Sequence, residues 1–128
     1  MIQKSKGQIE DAIAKEATKY YTKTMGAGPR ESHTYIVKDL IIVRMKAKLL
    51  PIEEKLLEGS RGVELVKDIR KSLHELTVGG MGGLMKSITG HEIISSHSDI
   101  STKTGEIIQI YVLDTDFEEE IIASRPVK

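Results

Sequence analysis

Apolar and polar positions change period along this chain, and the changes mark its elements. Over residues 2–23, Ile9, Ala12, Ile13, Ala17 and Tyr20 recur at three-and-four spacing. Charges at Glu10–Lys15 and Lys19–Lys23 lie on the other side, which predicts an amphipathic first helix. Gly26, Gly28 and Pro29 stop it. From Glu31 to Val37 the period drops to two, with His33, Tyr35 and Val37 alternating with Ser32, Thr34 and Ile36. Lys38-Asp39 supplies a tight turn, and a second strand follows over Leu40–Leu49. Its odd positions, Ile41, Val43, Met45, Ala47 and Leu49, are all apolar, while its even ones pass from Leu40 and Ile42 to Arg44, Lys46 and Lys48. One face is core from end to end; the other is apolar only in its first half.

Pro51 suits the first turn of a short helix over Pro51–Glu58, because its missing N–H would be unpaired there anyway. Gly59 closes that helix and Ser60 caps the next, for which Val63, Val66, Ile69, Leu73 and Leu76 predict the buried stripe. The run Gly79-Gly80-Met81-Gly82-Gly83 then costs about 1 kcal/mol of helical preference per glycine, which predicts a broken or mobile helix. Apolar spacing resumes with Leu84, Met85 and Ile88 before Gly90. Strands over 92–98 and 106–114 flank the loop Asp99–Glu106, where a turn at Thr102–Lys103–Thr104 closed by a left-handed Gly105 forms a hairpin. The last strand is apolar on both sides: Ile108, Ile110 and Val112 on one, Ile107, Tyr111 and Leu113 on the other. A strand buried on one side only should alternate with polar residues, so its second face needs a cover, either a second copy of the chain or a helix folded over it.

The predicted order is α-β-β-α-α-β-β. Hairpin pairs with helices between them define an α+β fold of two layers, on a four-stranded, mainly antiparallel sheet. The domain is expected over residues 1–114, with 115–128 as a C-terminal tail, a short helix followed by disorder.

Composition narrows the function more than it names it. At 128 residues the chain is expected to form one domain. Lys plus Arg equals Asp plus Glu, 19 each, which argues against nucleic acid as a partner because such binding rests on phosphate neutralisation. The absence of cysteine removes disulfides, thiolate metal sites and cysteine nucleophiles. No transmembrane segment is expected, since no run approaches the roughly 18 apolar residues that a span needs. A signal peptide is not expected either, and the reading is a cytoplasmic protein, peripheral to the membrane if it serves one.

Candidate chemistry is sparse. Gly26-Ala27-Gly28-Pro29-Arg30 looks like a phosphate loop, but such a loop needs a strand before it and a helix after it, and here the order is reversed. It reads as a helix stop, with Arg30 and nearby amides as a candidate anion site. Asp99, Ser101, Thr104 and Glu106 gather oxygens, yet hydroxyl and carboxylate side chains also stabilise turns. His33, His74, His91 and His97 fall in no metal-binding spacing. His97, Ser98 and Asp99 are strand neighbours pointing to opposite faces, which makes a triad unexpected. No catalytic residue, no metal and no cofactor is expected. Arg44, Lys46 and Lys48 form a basic stripe without the interleaved aromatics that single-stranded nucleic acid favours, and suit a solvated edge, an acidic partner or anionic headgroups. The candidate binding residues are therefore Gly26, Gly28, Pro29, Arg30, Arg44, Asp99, Ser101, Thr104 and Gly105.

Several segments, taken in order, carry a resemblance: G-A-G-P-R at 26–30, D-L-I-I-V-R at 39–44, L-L-P-I-E-E-K-L-L at 49–57, G-V-E-L-V-K-D-I-R at 62–70, I-T-G at 88–90 and S-D-I-S-T-K-T-G-E at 98–106. Together they resemble the MpsC-like family of bacterial proteins over residues 5–114, formerly a domain of unknown function and named for a Na⁺-translocating, membrane-potential-generating system. The resemblance implies a non-enzymatic accessory protein with a membrane-transporter component as partner, while a homodimer is expected from the doubly apolar last strand. It carries no catalytic residues over. The chain departs from the family pattern at Gly79–Gly83, where members continue a charged helix.

Overall fold

The computed structural model describes residues 4–124. In chain order the elements are α1 (Lys6–Met25), β1 (Glu31–Val37), β2 (Leu40–Lys46), α2 (Pro51–Leu56), α3 (Gly62–Thr89), β3 (Ile93–Ile100), β4 (Glu106–Leu113) and α4 (Phe117–Ser124). The fold is α+β, as the pattern predicts. Four antiparallel strands form one open sheet in the order β1-β2-β4-β3, which puts the two hairpins side by side with β2 and β4 at the centre.

Local signals set most of these elements. Ser5 and Gln8 form a reciprocal capping box at the start of α1, and left-handed Gly26 ends it, with its N–H on the Thr22 carbonyl. The β3–β4 loop is the predicted turn. Gly105 has φ +80°, and its N–H donates to the Ser101 carbonyl at 2.8 Å. A Cβ at Gly105 would stand 2.5 Å from the Ala47 carbonyl oxygen, so the position excludes a side chain.

The core lies between the sheet and helices stacked on one side of it. Ile9, Ile13 and Ala17 of α1, Met81 and Met85 of α3, and Phe117 and Ile121 of α4 meet Ile36, Ile41, Val43, Met45, Ile107, Tyr111 and Leu113 of the sheet. The segment read as a tail thus contributes α4 to the core, while residues 125–128 lie outside the described part. Glu10 supports the edge by accepting the β1 N–H of Ile36 at 2.8 Å. The Thr34 hydroxyl has no partner although its residue is 5% exposed.

Three expectations need correction. The second strand ends at Lys46, although Ala47 beyond it is still buried. The glycine run does not break α3, which continues unbroken from Gly62 to Thr89. Met81 and Met85 anchor it in the core on that stretch, and packing outweighs the propensity cost. Gly80 is also needed there, since a Cβ would fall 2.2 Å from the Tyr20 hydroxyl. Finally, the stripe predicted as the buried face of α3 points mostly outward: Val63, Ile69 and Leu76 are exposed, Leu76 by 81%. Of the predicted stripe Val66 is buried and Leu73 half-buried, and the inward face continues through Met81 and Met85.

Candidate functional site

A cleft of about 450 Å³ opens between α1, α3 and the helix-facing side of the sheet. Ligand sites of roughly 300–1,000 Å³ are of this size. Its polar groups are held by one another. The Tyr20 hydroxyl donates to the Thr77 carbonyl (3.2 Å), His74 Nε2 pairs with Ser96 Oγ (3.1 Å), and the Tyr111 hydroxyl donates to Gln109 Oε1 (2.7 Å). Burial lowers the pKa of His74 and outweighs the opposing pull of the Glu75 carboxylate, which keeps the imidazole neutral at pH 7.

At one side of the cleft sits an ion pair. Glu53 and Arg70 have side chains only 2% and 10% exposed. Arg70 donates from Nη2 to Glu53 Oε1 (2.7 Å), from Nε to Glu53 Oε2, and from Nη1 to the Tyr21 hydroxyl (2.9 Å). The Leu50 N–H also donates to Glu53 Oε1 at 2.8 Å, tying the start of α2 to α3 and, through Tyr21, to α1. Burial pushes the Glu53 carboxyl upward, but the Arg70 guanidinium and the Leu50 N–H more than reverse it and hold the group below the usual carboxylate range. Sequence reading missed this pair. Its signal was Arg70 four residues after Val66, a lone charge in phase with the buried side of α3, and a Glu at the third position of a helix opened by Pro51.

The second feature is the sheet's other face, which no described helix covers. Strand register lays it out in rows. Val37, Leu40, Val112 and Ser95 form one row, then Tyr35, Ile42, Ile110 and His97, then His33, Arg44, Ile108 and Asp99. Two rows are apolar at their centre, and Tyr35, Val37 and Ile108 are 40–44% exposed. The far end is charged but paired: Arg44 Nε meets Glu106 Oε2 at 2.7 Å and Lys46 meets Glu31 at 3.0 Å. The predicted basic stripe is thereby neutralised at two of its three positions.

The sequence-derived candidates border this same charged end without converging. Gly26 caps α1, and Gly28 sits so close to the chain that a Cβ would stand 2.7 Å from Thr22 Oγ1. Pro29 and Arg30 border a shallow surface hollow with Lys15 and Ser32. The Arg30 N–H donates to the Lys46 carbonyl at 2.8 Å, which fixes this corner to the end of β2. On the other side, Ser101 Oγ accepts the N–H groups of Lys103 and Thr104, and Thr104 Oγ1 accepts that of Glu106. Asp99 bonds Lys67 at 3.0 Å, which lowers its pKa. The end of β2 separates the Arg30 corner from Gly105, and β4 lies between β2 and Asp99, so the groups stand roughly 10 Å apart or more at strand spacing. Among the described residues, no three His, Cys, Asp or Glu gather where a metal ion could sit.

The class is an α+β domain on one sheet, with helices on one face, a half-apolar bare face opposite, and a cleft of mixed apolar and polar lining between helices and sheet. Among the described residues no helix is long and apolar enough to cross a membrane. The chain belongs to the MpsC family, described as the Na⁺-translocating membrane potential-generating system (MpsC), whose profile matches residues 5–115. It is also similar to the uncharacterized protein YbcI of Bacillus subtilis (strain 168), with 33% identity over 120 residues, covering 94% of this chain and 97% of that one. No solved structure matches.

Proposed function

We propose that this chain is a non-enzymatic accessory component of the membrane-potential-generating system by which its family is described, and that it docks a protein of that system through the bare face of its sheet. The observation that carries this reading is the pair of apolar rows across β1, β2 and β4, set beside charges already paired within the chain. Such a face suits a protein partner better than an ion or a nucleic acid, because it offers area to bury and little unpaired charge. In this reading the protein works from the cytoplasmic side, peripheral to the membrane. A photocrosslinker at Ile108 in cells should capture a membrane subunit of the system, and Ile110→Lys should abolish the capture. Recovery of no such subunit, or equal recovery by the variant, refutes the reading.

A second reading, a small-molecule-binding domain, is favoured by the cleft rather than by the Gly26–Arg30 corner. A metabolite panel scored by thermal shift should then give a hit that Gln109→Ala removes. A hit kept by Gln109→Ala but lost in Arg30→Ala would move the site to the corner.

A further inference from the structure

The two edges of the sheet are finished differently. Strand order leaves β1 and β3 each with one side that no strand covers. On β1 that side is plugged. The Glu10 carboxylate takes the Ile36 N–H at 2.8 Å, the Glu118 carboxylate takes that of Lys38 just beyond the strand at 3.0 Å, and the Thr18 and Ser32 hydroxyls meet at 2.7 Å. On β3 the register shows which groups point outward. The Ser101 N–H donates to the Glu106 carbonyl, so alternation turns the backbone of Asp99 and His97 toward β4 and that of Ile100, Ser98 and Ser96 away from it. Asp99 Oδ1 takes the Ile100 N–H at 2.8 Å. Among the described residues nothing takes the N–H groups or the carbonyls of Ser96 and Ser98.

These four groups border the cleft, which Ser96 and Ser98 line together with Lys71 and His74 of α3. The helix lies along β3 in the opposite direction: Lys67 bonds Asp99 at 3.0 Å, His74 Nε2 pairs with Ser96 Oγ at 3.1 Å, and a Cβ at Gly82 would stand 3.8 Å from Ile93 Cδ1. An open strand edge beside a helix wall is the setting in which an extended chain adds to a sheet, held by main-chain bonds and sorted by pockets for alternate side chains. We infer that the cleft takes an extended peptide of another protein, paired to β3 at Ser96 and Ser98 as a fifth strand. This peptide site rests on the reading of the cleft as a ligand site and goes further in naming a main chain as what it binds. Lys67 is held by Asp99 and Arg70 by Glu53, and Lys71 stands one helical turn from Glu75, so no run of one sign selects an ionic ligand. Inward from β3 the lining passes through Ile107 to Met45 and Met81. An uncharged apolar side chain of the added strand enters there, and its sequence neighbours point to the bare face of the sheet. Paired antiparallel about His97, a second β3 would set Ser96 against Ser98 and bring no large apolar side chain to that floor.

Random peptides of about nine residues, displayed on phage and selected on the full chain, should yield binders, the tightest with a Kd below about 100 µM once synthesised. N-methylation of alternate peptide amides removes main-chain donors and leaves every side chain, and should weaken binding at least tenfold in one register and little in the other. Ser98→Pro should abolish binding and leave the fold intact, because the N–H it removes points away from β4. Hydrogen exchange on the wild type reads the same contact without a variant: the Ser96 and Ser98 amides should slow when the peptide is added, and those of β1 should not. Failure to select any peptide, equal binding in both N-methyl registers, or unchanged exchange at Ser96 and Ser98 overturns the inference. A metabolite whose binding Gln109→Ala removes, in a chain that selects no peptide, overturns it alone and leaves the cleft a small-molecule site. A self-associating wild type that Ser98→Pro turns into a monomer gives the edge to a second copy and overturns it as well.

Discussion

Replacing Arg70 by Met isolates what the buried ion pair does, because the two side chains are similar in reach and differ in charge. With Arg70 gone, the Glu53 carboxylate keeps one N–H donor from Leu50 and loses both guanidinium bonds, in a place where it is 2% exposed. Breaking a buried pair from one side costs about 3–5 kcal/mol. For a chain of this length that lowers Tm by on the order of 10–20 °C. The pH dependence carries the sharper test. In the wild type Glu53 titrates below its unfolded value, so its contribution is fully present above the ordinary carboxylate range and is lost as pH falls through the depressed value. In Arg70→Met burial acts without its counterweight, the carboxyl titrates higher, and protonation removes the penalty. Urea unfolding followed by circular dichroism from pH 7 to pH 4 should show the gap between the two proteins closing toward acid. A gap that stays constant across that range refutes the assignment of the cost to Glu53. Replacing both residues, Glu53→Leu with Arg70→Met, should recover most of the stability, since a buried pair exchanged for apolar groups is often neutral.

Three further substitutions test the packing. Gly80→Ala should destabilise by about 1–2 kcal/mol in denaturant titration, because the new methyl overlaps the Tyr20 phenol and displaces its bond to Thr77, which outweighs the gain in helix propensity. Thr34→Val should stabilise by about 1 kcal/mol, since the hydroxyl it removes is buried without a partner. Lys38→Gly should raise Tm slightly, by about 0.5 kcal/mol of stability, because Lys38 holds φ 56° in the β1–β2 turn, where a side chain is strained; an unchanged or lower Tm counts against strain there.

Much of the fold was legible in the chain because the signals are local. The two hairpins follow from period-two runs around Lys38-Asp39 and Gly105, and α1 follows from one unambiguous stripe. Strand order was not legible: the contact of β2 with β4 joins residues far apart in the chain, and both strands are apolar enough to sit centrally. In α3 two apolar stripes compete. One runs through Val66, Met81 and Met85, the other through Leu65, Ile69 and Leu76, and periodicity ranks them equally. The sheet chooses the first, and Arg70 can lie on that side because Glu53 meets it there. The continuity of α3 through four glycines was illegible for the same reason, since its anchors are supplied by other elements. As for the candidate residues, their turn and capping geometry follows from local chemistry, whereas the cleft is built from side chains on α1, α3 and three strands that no single motif joins.

The dimensions of α3 explain why one helix carries two stripes. At 28 residues it is about 42 Å long at 1.5 Å per residue. The strands beneath it have seven or eight residues, about 25 Å of sheet. The sheet therefore supports little more than half the helix, mainly where Met81 and Met85 enter the core, while the earlier turns rest on α2 through Gly62 and on the Glu53–Arg70 pair. A helix held only along one side, over part of its length, would be expected to show a polar outer face if it met water alone. Here Leu65, Ile69 and Leu76 are exposed on the outer face, and Gly79 and Gly83 follow them. The long helix and the short sheet thus leave two surfaces uncovered, the outer face of the sheet and the outer stripe of α3.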